Sequence, residues 1–438
     1  MRQKKSNLKK KLDKKYRWIG IDPKDVAFFT GIALGVAAAV FVVFGIVKLV
    51  RSGVIKFPVR TEKETAATSA EEDSVTTASV IAVGDNLYHM NMINAGANEN
   101  GPWNYDFLYE HVLDEIQAAD LAIVDQETVL TKDHDAVEAY PTFLTPVEAA
   151  DALAKAGFDV VYSATNHADD EGPDPIRETV SYWRTNYPEI TLVGLHDSAE
   201  DAAELRIREV NGIKIAFLNY TYGTNMAVSE GIEDYMIDEF SQGSQYVARM
   251  IQKAKAQADC VIFIAHWGIE DDTLPSEYQK QWAGFLMRQG VDVVIGGHPH
   301  VLQPYGRVQD NQGHDMVLFY SLGNFVSNMN FLNEVIEGMA SFTIEKTVKD
   351  GQTSIRILDE TVKPMIMHYD LERKNPAVYM LDDYTEELAA EHGTSQYSGE
   401  VTLETIRTRF DEIVNAGVET STGIDLLDKH FDWDGNMY

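Results

Sequence analysis

His298 and His300 stand two residues apart, stiffened by Pro299 and preceded by Gly296-Gly297. Neutral imidazole binds zinc, iron, nickel and copper, so the pair can serve one metal centre or two adjacent ones. The same spacing also occurs in ordinary surface turns, and what decides is how often the layout recurs. Val291-Asp292-Val293-Val294-Ile295, just before the pair, is an apolar, β-branched run of strand length. Asp85 follows Val80-Ile81-Ala82-Val83, and Asp125 and Glu127 follow Leu121-Ala122-Ile123-Val124. Asn166-His167 follows residues 159–164, and His266 follows residues 260–265. Any one of these is ordinary turn chemistry. Six positions, Asp85, Glu127, Asn166-His167, His266, His298 and His300, at five such strand ends point to a metal-type site at the carboxyl ends of strands, where α/β folds gather their ligands.

The elements that must hold those residues alternate. Strands are expected at residues 79–83, 121–124, 159–164, 191–193, 213–218, 260–265 and 316–320. Helices are expected at 107–119, 245–257 and after two capping boxes, Thr145-Pro146-Val147-Glu148 and Ser276-Glu277-Tyr278-Gln279. Gly157 and Gly290 close the latter two helices. The class is therefore α/β, with near-continuous apolar strands covered on both faces. Residues 340–344 and 354–358 read as additions to the sheet.

The 438 residues carry a net charge of -32, unevenly placed. Residues 1–60 hold 14 basic and 3 acidic side chains, which leaves 23 basic and 66 acidic for the rest. Residues 1–25 form a basic arm. Residues 26–50 are apolar, free of charge until Lys48, and long enough to cross a bilayer as one helix. The upstream basic residues place the arm on the cytoplasmic side and on anionic lipid, with the main domain extracellular. A cleaved signal would have a shorter apolar core. Residues 51–77 read as a linker, 78–372 as the main domain, and 373–438 as a segment of acidic, exposed helices. An acidic exterior domain argues against nucleic acid as a partner. The single cysteine, Cys260, opens a strand and reads as core.

As an ordered set, Gly84-Asp85, Glu127, Thr165-Asn166-His167, His266-Trp267-Gly268, Gly297-His298-Pro299-His300-Val301 and Ser321-Leu322-Gly323-Asn324-Phe325 resemble the CapA/PgsA family of poly-γ-glutamate capsule biosynthesis proteins. The resemblance runs from about Ser79 to Ile344. It implies a metallophosphatase-like α/β/β/α sandwich of four layers, here behind a single transmembrane helix. It also implies divalent metal (manganese, iron or zinc) on Asp85, Glu127, Asn166, His266, His298 and His300. His167 matches the histidine that protonates a leaving oxygen. Two departures stand out. The first motif reads Asp85-Asn86-Leu87 where the fold group has Asp-x-His, and Glu127 takes the place of a bridging Asp. His89 is a possible substitute for the missing imidazole. Asp125 adds a ligand or only a charge, and Asn324 is a further possible member.

The function implied is membrane-anchored, extracellular participation in capsular polymer synthesis or export. Synthase or export membrane proteins and an anionic polymer would be the partners. The residues themselves suggest metal-assisted hydrolysis. A non-catalytic, metal-stabilised binding subunit and a phosphoesterase unrelated to capsule are the rival readings.

Overall fold

The computed structural model describes residues 73–225 and 229–429. The expected arm, anchor and most of the linker lie outside these residues. Among the described residues no helix is long and apolar enough to cross a membrane. The chain runs β1 (Ser74–Asn86), α1 (Met90–Gly96), α2 (Leu113–Ala118), β2 (Leu121–Gln126), β3 (Leu130–Thr131), β4 (Thr145–Pro146), α3 (Glu148–Ala156), β5 (Val160–Tyr162), α4 (Pro173–Asn186) and β6 (Thr191–Val193). It continues through α5 (Ala199–Ala202), β7 (Arg206–Val210), β8 (Ile213–Thr221), α6 (Ser244–Lys255), β9 (Cys260–His266), α7 (Glu277–Gln289), β10 (Val293–Gly297), β11 (Tyr305–Gln309) and β12 (Asp315–Phe319). Last come β13 (Asn324–Val326), β14 (Ile336–Lys349), β15 (Gln352–His368), β16 (Ala377–Met380), α8 (Glu386–Glu391), α9 (Ser395–Ser398) and α10 (Leu403–Val414).

Two mixed sheets result. One has the order β16-β15-β14-β1-β2-β5-β6, with β13 also on β1, and the other has β11-β12-β10-β9-β8-β7. Their inner faces share one apolar core, to which Val80, Ile123 and Val160 contribute from the first sheet and Ile262, Ile295 and Phe319 from the second. The outer face of the first sheet packs Val83 and Val161 against Leu153 of α3 and Val180 and Trp183 of α4. The outer face of the second packs Phe263 and Val294 against Ile251 of α6 and Trp282 of α7. The layers are helix, sheet, sheet, helix, and the α/β expectation holds. Every residue of β9 is buried, which explains its unbroken apolar run.

Local signals held where no tertiary partner competed. Ser276 and Gln279 form the expected capping box, and Gly290 closes α7 at φ 82. Gly157 closes α3 at φ 110. Thr145 caps nothing: it lies in β4, and its hydroxyl bonds that of Thr128 at 2.6 Å. The helix expected over 107–119 is broken into a single 3-10 turn at Asp106–Tyr109 and the short α2. β1 begins at Ser74, inside the expected linker, because its first residues pair with β14.

The reading of residues 373–438 as exposed helices needs correction. β16 pairs with β15 as an edge of the first sheet. Leu381, Tyr384, Ile406, Phe410, Ile413 and Val414 are buried in the core between the sheets. Further on, Leu427 joins the core beneath α6 and α7, and the Asp428 carboxylate accepts from the Ser244 N–H at 2.7 Å. The apolar stripe of α10 is narrow, and the acidic residues around it disguise it.

Candidate metal centre

Register brings the site together. β1 and β2 run parallel with Asp85 opposite Asp125, and β13 sets Asn324 opposite Asp85 on the other side. In the second sheet His266 at the end of β9 lies opposite Gly297 at the end of β10. The two sheet ends touch there: a Cβ on Gly297 would lie 2.4 Å from Asp85 Oδ1, so only glycine fits. Gly84 is confined in the same way, since its Cβ would meet the Gly323 carbonyl oxygen at 1.8 Å. The turn that follows β10 holds His298 at φ 95 and His300 at φ 57, in the left-handed region that non-glycine residues avoid. Strain of this kind persists only where surrounding contacts impose it, and such places cluster at functional sites. Here the His298 N–H donates to Asp85 Oδ2 at 3.0 Å.

Two groups of potential donors emerge, and Asp85 belongs to both. Asp85, Glu127 and His300 offer one atom each, all within 4.8 Å of one another, and so do Asp85, Asp125 and His266. All five residues are buried. Asp85 Oδ1, both oxygens of Asp125 and of Glu127, His266 Nδ1 and both ring nitrogens of His298 have no hydrogen-bond partner. Buried polar atoms are almost always satisfied, so a cluster of orphans of this composition fits a cation. Mixed carboxylate oxygen and imidazole nitrogen is a divalent-metal donor set. Asp125 therefore joins the candidate donors, and Asp85 is the carboxylate common to both groups.

The remaining candidates fall around this cluster. Asn166 Oδ1 bonds His266 Nε2 at 2.6 Å, and the His266 and His298 rings lie 5.0 Å apart. Asn324 stands behind His300: its Oδ1 bonds His300 Nδ1 at 2.9 Å and its Nδ2 donates to two carbonyls. With those bonds made, Asn324 orients His300. His89 belongs to neither donor group. Its Nδ1 accepts the Asn328 N–H at 3.2 Å, and the ring lines the cleft above the cluster. That cleft, of about 420 Å³, is also lined by Leu87, Tyr140, Phe143, His167 and His300. His167 Nδ1 bonds Asp170 Oδ2 at 2.7 Å, which leaves Nε2 for the cleft. Asp170 also accepts the Phe143 N–H at 2.7 Å. The sequence reading missed Asp170, for which a His-x-x-Asp spacing was the one available signal. It also missed Tyr162, whose buried hydroxyl is unpartnered and feels Asp125, Asp85 and Glu127.

The electrostatics follow from burial and like charge. Burial first, then Asp85 and Glu127, push the Asp125 carboxyl well above its usual range. Burial likewise raises Glu127. Burial and the neighbouring imidazoles hold His266 and His298 well down, in the neutral form that binds metal. His300 goes the other way. Burial lowers it, but Glu127 and Asp85 outweigh that and bring it to about 10. The cluster thus favours positive charge at its centre.

A family model described as "Bacterial capsule synthesis protein PGA_cap" matches residues 79–329. The chain belongs to this family. All the strand-end residues from Asp85 to Asn324 lie inside the family match. The PGA biosynthesis protein CapA of Bacillus subtilis (strain 168) is 28% identical over 267 residues, 59% of this chain and 67% of that protein. The capsule biosynthesis protein CapA of Bacillus anthracis is 32% identical over 183 residues, 41% of this chain and 42% of that protein. The chain thus spans less than half the length of the second relative. Among solved structures, a novel phosphatase from Mycoplasma pneumoniae is similar with a TM-score of 0.38 at 15% identity, over 66% of this chain and 95% of that one.

Proposed function

We propose that the chain serves capsular poly-γ-glutamate synthesis or export as a membrane-anchored, extracellular protein with a metal-dependent, hydrolase-type site. The observation that carries this is the set of buried, unpartnered carboxylate and imidazole atoms at facing strand ends, in a member of the capsule family. Burying Asp85, Asp125 and Glu127 together is costly without a compensating charge. In this reading the sandwich is of the metallophosphatase kind, and Asp85, Asp125, Glu127, His266, His298 and His300 hold manganese, iron or zinc, with Asn166 completing the set. Such a cation lowers the pKa of water and polarises a phosphoryl or carbonyl oxygen. His167, its Nδ1 fixed by Asp170, presents Nε2 to protonate the leaving oxygen or to orient the substrate. Residues 26–50 anchor the protein, and its partners are membrane lipid, the polymer and the synthase or export proteins.

Elemental analysis of full-length protein, combined with assays on a phosphodiester and on γ-glutamyl amides, tests the site. Metal with turnover supports the enzyme. Metal without turnover on any ester or amide transfers the reading to a polymer-binding role. Metal-free wild type overturns both. For the anchor, mass spectrometry of membrane-extracted protein should recover peptides from residues 1–25. A mature N-terminus within residues 37–77 would overturn it.

A further inference from the structure

Beside the metal cleft lies a second groove of about 550 Å³, lined by Asn91, Asn94, Glu372, Arg373, Lys374 and Asn375 among others. Its charged lining is two cations to one carboxylate, in a chain with 69 acidic and 37 basic residues. Lys374 is paired with Glu372 at 2.7 Å. Arg373 is not paired with any carboxylate among the described residues. Its Nη1 donates to the Asn328 carbonyl at 3.0 Å and to Asn328 Oδ1 at 2.6 Å, and its Nη2 to Asn330 Oδ1. The guanidinium lies over the rings of Tyr369 and Tyr397, at 5.3 and 5.5 Å. These neutral partners fix its orientation without cancelling its charge, and none of them uses Nε–H.

The loop is built to hold that pose. The Asp370 carboxylate accepts the N–H groups of Glu372 and Lys374, both at 2.9 Å, and the Asn375 side chain at 2.7 Å. Arg373 and Asn375 take left-handed φ values of 57 and 52. A preorganised guanidinium loses little freedom on binding a planar carboxylate. The groove is joined to the metal cleft through Asn328, whose Oδ1 receives Arg373 and Asn91 and whose N–H goes to His89. Arg373 lies beyond the residues that match the family model.

We propose that this groove is a carboxylate subsite, in which Arg373 takes a carboxylate of an acidic chain whose scissile group lies in the metal cleft. The proposal rests on the reading of that cleft as the hydrolase-type site. It gives the anionic polymer of that reading a specific contact on a domain that is otherwise acidic and repels it.

The test uses detergent-extracted full-length protein, a short γ-linked glutamate oligomer, and the same oligomer with its carboxylates converted to amides. R373Q should weaken binding of the acidic oligomer about tenfold, and R373K should recover part of the loss. Binding of the amide oligomer should not change with either variant. Bound metal should equal that of wild type. Equal binding of the acidic oligomer by R373Q and wild type would overturn the subsite, as would no binding by wild type. Equal losses for both oligomers would also overturn it, since they would indicate shape rather than charge. Arg373-dependent binding of polyphosphate as tight as that of the acidic oligomer would overturn the assignment to carboxylate. Metal-free wild type counts against the cleft, whereas an unaffected R373Q counts only against the groove.

Discussion

Removing the imidazoles of His298 and His300 separates ligation from packing. If they hold metal, the double alanine variant loses metal and melts at lower temperature, because a ligand bound only by the native state stabilises it by mass action. Chelation should then bring the wild-type and variant melting curves nearly together. Equal metal content in the two proteins would remove the ligand assignment. His167→Asn should keep metal and fold but slow hydrolysis by about 10²–10⁴-fold. Asp170→Asn should slow it less and displace the pH profile, since Asp170 acts through His167 at 2.7 Å. At this scale the sequence was legible where a residue's place in its strand determined its place in space. Asp85, Glu127, Asn166, His266, His298 and His300 all sit just beyond apolar runs, and parallel strands bring such ends to one edge. Asp170 and Arg373 lie on loops, and their roles come from contacts that no local pattern encodes. His89 and Asn324 were named as possible members, and each makes a hydrogen bond beside the donor groups, His89 with the Asn328 N–H and Asn324 with His300.

α10 shows the corresponding limit for elements. Its cap at Thr402 and its apolar positions Ile406, Phe410 and Ile413 mark a helix. Its partner could not be read, because the stripe it presents is short and lies among acidic residues. Ile406 is fully buried in the core between the sheets, so Ile406→Ala should cost about 2–5 kcal/mol, measured as a shift in the urea midpoint. Deletion of everything after Met380 should leave no cooperative melt, since it removes Leu381, Tyr384, Ile406, Phe410, Ile413 and Val414 from that core. A truncated protein that still melts sharply would show that this segment is dispensable for the core. Thr145 illustrates the opposite case. A sound capping sequence was overridden because β4 pairs with β3, and pairing uses the backbone the cap would have needed. The sequence reading named no helix over α4, although Pro173 at its start suits the first helical turn.

At the scale of the whole molecule, three buried histidines outside the donor cluster make a contribution to stability that is greatest near the ordinary histidine value. His196 is buried, with Nε2 3.0 Å from Asp238 and Nδ1 3.7 Å from Asp201. Burial lowers its pKa, but the two carboxylates outweigh that and raise it to about 9. The folded value lies above the unfolded one, so the contribution is complete below about 6.5 and is lost as pH rises through about 9. Burial sets His368 and His392 the other way, at about 4 and about 3. Their contribution is complete above 6.5 and is lost as pH falls toward those values. His196→Asn should therefore narrow the stability gap to wild type by up to about 3 kcal/mol between pH 6 and pH 9.5, by chemical denaturation. An unchanged gap would refute the pairing. The central place of β1 has a consequence for how the chain acquires this structure. Asp85 lies 213 positions before the His298 N–H that secures it, and β1 also pairs with β13 and β14, which come later still. Long-range pairing of this kind is slow, because loop closure must precede the contacts that reward it. A chain emerging from its N-terminus, whether from a ribosome or through a membrane pore, carries its acidic half-site open until the second sheet arrives. The carboxylates and the imidazoles meet only when the sandwich closes, so a metal held between them would be taken up last, in whichever compartment the chain finishes folding.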